Sequence, residues 1–162
     1  MLAKYRSSCA VVVLAVALLL GGIGSANAGY FETSAYYAAS AGVEQGLADY
    51  YTGLGFYYGS STYRYYAYLY DTYATSDSYY AAYYGYLGYY YYNWDSTYCY
   101  YAYYWNDVCY DYQDTADYYS YLAYYYGNSG YAFLAQIFRG FAMYYGADAT
   151  NMSALASIGG LL

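Results

Sequence analysis

Beyond residue 28 this chain has neither histidine nor lysine, which removes the side chains most used as general bases and amine nucleophiles. Paired carboxylates can hydrolyse glycosidic bonds, but spacing singles out no pair among its acids. Haem finds no histidine ligand and no attachment motif. Tyrosine can ligate iron, yet its abundance singles out no one ligand. The run Gly53 to Gly55 lacks a preceding strand and any lysine, so it is not a phosphate loop. The chain reads as non-enzymatic, with no catalytic residue, no metal site and no cofactor.

Two constellations remain. Cys99 and Cys109 are the only cysteines beyond residue 28. In an exported protein they are expected to form a disulfide. On one unbroken helix they would stand about 15 Å apart, beyond the roughly 7 Å that a bridge spans. The bridge therefore requires a turn, which Asn106-Asp107 can supply; the alternative is two buried thiols. Without histidine the pair makes a poor zinc site. Asp107, Asp111, Asp114 and Asp117 form the densest acidic cluster, but it lacks the alternating acids and central glycine of a calcium loop. Helix starts and a solvated turn explain it more simply.

The expectation of a disulfide rests on export. Lys4 and Arg6 precede an apolar run from Ala10 to Leu20, followed by small residues ending Ala26-Asn27-Ala28. This reads as a cleavable signal peptide over 1–28. The run is too short for the roughly 20 residues of a membrane-spanning helix, so no transmembrane anchor is expected. The remaining 134 residues, 29–162, fit one domain. They carry eleven acids against Arg64 and Arg139, a net charge of −9 that disfavours nucleic acid. All but Tyr5 of the 39 tyrosines lie here. So many phenols exceed the partners an interior can offer them, so many must reach water and coat the surface with amphipathic rings.

An internal repeat orders these rings. Residues 50–60 (YYTGLGFYYGS), 83–93 (YYGYLGYYYYN) and 118–128 (YYSYLAYYYGN) share Leu54, Leu87 and Leu122 at offsets of 33 and 35. A second element repeats at 61–70 and 96–105. Tyr51, Leu54 and Tyr58, like Tyr63, Tyr66, Ala67 and Tyr70, lie at helical spacing. Asp49, Asp77 and Thr115 or Asp117 can cap starts, Gly59 and Gly127 can end helices, and Ser61, Ser96 and Ser129 can open the next. Tyr131, Leu134, Phe138, Phe141 and Tyr145 mark a further amphipathic helix with Gln136 and Arg139 off its stripe. Residues 148–162 can add a short helix and an apolar tail. The expected fold is all-α: stacked helical hairpins, α-solenoid-like, with a closing C-terminal helix. The alternative is a Tyr-rich β fold, since tyrosine favours strands, although paired tyrosines break strand alternation.

The first element resembles the opening helix of the tetratricopeptide repeat, through Tyr51-x-x-Leu54-Gly55-x-x-Tyr58 and Tyr84-x-x-Leu87-Gly88-x-x-Tyr91. The residues 119–126 nearly follow it, with Ala123 for glycine. The resemblance spans about residues 48–128 and lacks the family's proline. It implies stacked hairpins with a concave protein-binding face and no catalysis. The functional expectation is an exported structural protein of the envelope, periplasm or extracellular matrix that associates with itself or a protein or glycan surface through exposed tyrosines. Oxidative dityrosine crosslinks are chemically open to it. The alternative is a monomeric module binding peptide or glycan in a tyrosine-lined groove. Rings confined to one concave face favour the module, and rings around the whole circumference favour assembly.

Overall fold

Residues 29–92 and 97–159 are described by a computed structural model. The expected signal peptide, Ser96 and the final tail fall outside them. Four helices follow in order: α1 (Gly29–Tyr58), α2 (Ser61–Tyr92), α3 (Thr97–Tyr126) and α4 (Ser129–Gly159). Each has 30 to 32 residues, about 45 Å of helix at 1.5 Å per residue. No strand occurs among the described residues, so the helical expectation holds and the β alternative does not.

The helices run long because nothing in them stops a helix. Proline is absent, and the breaks before α2 and before α4 fall where glycine permits a left-handed residue. Gly59 and Gly127 have φ of 64° and 63°, the conformation that ends a helix and that residues with a Cβ adopt only with strain. The residue after each glycine opens the next helix. Ser60 Oγ accepts from the Tyr63 N–H at 3.4 Å, and Asn128 Oδ1 accepts from the Gly130 N–H at 2.7 Å. The caps are thus Ser60 and Asn128, one residue before the expected Ser61 and Ser129. Asp49, Asp77, Thr115 and Asp117, expected near helix starts, lie inside helices. α4 continues unbroken through 148–159, so the separate short helix is not formed.

The two-residue turns make α1–α2 and α3–α4 antiparallel hairpins. The hairpins stack through α2 against α3, and α4 packs back on α1. The closing helix therefore closes the whole ring, giving an up-down four-helix bundle, where an open solenoid leaves first and last helices apart. One 33–35-residue period is one long helix and its turn. Residues 50–60 end α1, and residues 61–70 begin α2.

Packing follows the size of side chains. In α3 the buried residues are Cys99, Ala102, Asn106, Cys109, Gln113, Ala116, Ser120 and Ala123, an unbroken alternation of three and four. α2 repeats the pattern at Ala67, Asp71, Ala74, Ser78 and Ala81, and α4 at Ala135, Arg139, Ala142, Ala149, Ser153 and Ala156. These are the a and d positions of a seven-residue repeat, occupied mainly by alanine and small polar residues. Helices with such seams approach closely, and the flanking e and g positions receive the rings. Phe31 is the one large ring buried among the described residues; it packs on Gly88, where an added Cβ would meet its ring at 2.7 Å.

Candidate functional site

Ten residues apart on α3, Cys99 and Cys109 are each buried, and no bond joins them. The disulfide expectation is corrected. Asn106-Asp107 makes no turn, because Asn106 is itself a seam residue, and the unbroken helix holds the sulfurs too far apart. Cys109 instead donates to the Ala142 carbonyl at 3.3 Å and lies 3.9 Å from Ser78 Oγ. Burial pushes its thiol up to about 11, although the Ser78 and Gln45 side chains work the other way. Such a thiol is a poor nucleophile.

The polar seam residues meet in layers that cross the bundle. In one, Asn106 of α3 donates to Ser34 Oγ of α1 at 3.1 Å and to Ser153 Oγ of α4 at 3.2 Å, while Ser34 donates to the Ala81 carbonyl of α2 at 2.8 Å. In another, Arg139 of α4 grips Asp71 of α2 with one edge of its guanidinium: Nε to Oδ1 at 2.8 Å and Nη2 to Oδ2. Its Nη1 reaches Asp49 and Thr52 of α1, and Gln113 of α3 donates to Asp71 Oδ1 at 3.1 Å. Arg139 and Asp71 are 0% exposed, while the Asp49 side chain keeps 39%.

Burial works against the charged guanidinium, but Asp71 and then Asp49 outweigh it and raise the Arg139 pKa. Each guanidinium nitrogen of Arg139 is thus engaged by a side chain of the bundle itself, and the centre ties α4 to α1 and α2. Sequence reading placed Arg139 off its helical stripe; the signal for its burial is the run of small residues on either side, Ala135 and Ala142, at the seam spacing.

Around the seams the rings form ladders. Across α1 and α2, Tyr37 stacks on Tyr84 at 5.8 Å and Tyr51 on Tyr70 at 5.5 Å. Across α2 and α3, Tyr68 stacks on Tyr124 at 6.1 Å and Tyr89 on Tyr103 at 5.8 Å. Across α3 and α4, Tyr145 lies between Trp105 and Tyr112 at 5.3 and 5.4 Å. No ring pair joins α1 to α4 among the described residues. The stripe Tyr131, Leu134, Phe138, Phe141, Tyr145 is this flank of α4, with its seam beside it. Asp107, Asp111 and Asp114 line the exposed side of α3, and no group of three potential ligands is placed to hold a metal among the described residues.

Acids interrupt the ladders. Burial raises Glu44 to about 7, with Asp77 adding to it. Burial likewise raises Asp117 to about 6, against a hydrogen bond from Thr72. Asp49 is raised by burial despite Arg139, whose charge Asp71 already answers.

No family model matches this chain, and neither a curated protein nor a solved structure matches it.

Two outcomes follow from this geometry. Asp71→Asn leaves a buried guanidinium inadequately matched and lowers unfolding free energy by about 3–5 kcal/mol in urea titrations. The double change Asp71→Leu with Arg139→Met recovers most of that loss, because Asp49 can turn to water. The second concerns pH. Glu44, Asp117 and Asp49 bind protons more tightly folded than unfolded, so their contribution is full below the unfolded carboxylate range and is lost as pH rises through the folded values. Unfolding free energy therefore falls between about pH 4.5 and pH 7. Glu44→Gln with Asp117→Asn flattens that fall, and an unchanged slope in the double variant contradicts the assignment.

Proposed function

We propose that this is an exported, non-enzymatic structural protein of the cell envelope or extracellular matrix, whose copies associate through a tyrosine skin. One observation carries the reading: among the described residues no tyrosine is buried, and exposed tyrosines occur on all four helices. Tyr57 is 80% exposed. Tyr36 and Tyr50 lie on α1, Tyr83 and Tyr91 on α2, Tyr104 and Tyr125 on α3, and Tyr144 on α4. Contiguous apolar surface of more than a few hundred Å² marks interaction sites on most proteins, and phenols add hydrogen-bonding edges to that area.

This distribution favours assembly over a groove-type binding module, since exposed rings occur on all four helices. The internally paired Arg139 and the raised thiol of Cys109 support a reading without a reaction. No described helix is long and apolar enough to cross a membrane, and the basic-then-apolar opening of the sequence supports export.

Sedimentation velocity tests the proposal. At roughly 100 µM, where an association of about −5.5 kcal/mol is half populated, residues 29–162 are expected to form oligomers. Replacing Tyr57, Tyr58, Tyr125 and Tyr126 with serine shifts the population toward monomer without changing helicity. A wild-type monomer at that concentration contradicts self-association.

A further inference from the structure

The end of the bundle that carries both short turns forms a pocket, open to solvent on one side, of about 150 Å³, a size that accepts one benzene ring. Phe56 of α1, Ala67 of α2, Ala123 of α3 and Ala132 of α4 give it apolar walls, and Arg64 enters it from the first turn of α2. No carboxylate lines it. The Arg64 Nε is shut off from water and has no hydrogen-bond partner, and no ion pair to Arg64 occurs among the described residues. In a chain of net charge −7, a guanidinium with no described carboxylate in ion-pair reach is a cation without a paired counter-ion.

Neighbouring backbone keeps room for that group. A Cβ on Gly55 would stand 2.9 Å from Arg64 Cγ and 3.1 Å from its backbone nitrogen. A Cβ on Gly127 would approach Nη2 at 3.4 Å. The positive ends of α2 and α4, which begin at Ser61 and Ser129, are at this same end of the bundle. Charge and shape together select a ligand class. A guanidinium offers a planar fork that fits a carboxylate with two parallel hydrogen bonds, and the alanine and phenylalanine walls reward an apolar body of ring size.

We infer that this pocket binds a small monocarboxylate with a compact apolar body, its carboxylate on Arg64 and its body against Phe56 and the alanines. The site is independent of the assembly reading, because it lies within one bundle. Calorimetric titration of residues 29–162 with benzoate, benzyl alcohol and inorganic phosphate tests it. Benzoate is expected to bind one per chain, with the alcohol and phosphate weaker by about tenfold or more. Arg64→Gln weakens benzoate by a similar factor. Ala132→Leu fills the pocket from the opposite wall with Arg64 intact and abolishes binding, which keeps the test decisive if the arginine variant fails to fold. The inference is overturned by absence of benzoate binding up to about 10 mM, by phosphate binding as tightly as benzoate, or by benzoate affinity that Ala132→Leu leaves unchanged.

Discussion

Close approach of helices through small seam residues is the constraint on which the rest of this molecule depends. Alanine, serine and cysteine recur at spacings of three and four along each helix, and a seam so thin has no room for a phenol. Rings at the flanking positions are pushed to the edges of each interface, where they stack with the neighbouring helix and keep their hydroxyls near water. This arrangement answers the difficulty of a tyrosine-laden chain. A buried phenol needs a partner, and here none of the described tyrosines is asked to find one in the interior. The bundle's apolar burial is spread over ring faces at the flanks, with little of it at the centre.

A thin alanine seam specifies register weakly, because one alanine layer resembles the next. The polar layers break that degeneracy. Slipping α4 by one turn, about 5.4 Å, would set Arg139 against alanine and leave Asp71 without its guanidinium. Buried ion pairs contribute little net stability over apolar residues of like volume, but a wrong alignment that strands one charge is strongly disfavoured. The Asn106, Ser34 and Ser153 layer acts in the same sense at the other half of the bundle. Each layer draws on all four helices, so both hairpins must dock before it is complete.

Much of the fold was legible in the sequence, for local reasons. Gly59 and Gly127 end helices because only glycine is at ease at their φ, and the absence of proline leaves long segments uninterrupted. The repeat correctly marked helix ends, but its period was one long helix where two short ones had been read. The seam was missed because the helical stripes were drawn through tyrosine, leucine and phenylalanine, with serine, alanine and glycine given no weight. The stripe through Tyr131, Phe138 and Tyr145 is real, yet it lies beside the core. Reading by side-chain size along α4 finds Ala135, Arg139, Ala142, Gly146 and Ala149, and so places the arginine inside. The cysteines illustrate the same error: their spacing of ten is a seam spacing, three plus seven, which needs no bridge. The Arg64 pocket left no local signal, since its walls come from four helices.

Nitration of tyrosine by tetranitromethane in the native protein, mapped by mass spectrometry, tests the expulsion of rings most directly. Modification is expected on all four helices while far-ultraviolet circular dichroism remains helical, with Tyr57, Tyr58, Tyr125 and Tyr126 among the earliest sites. Protection of most tyrosines until the protein is unfolded would contradict the account, because the rings would then fill the interior that the small residues are held to close.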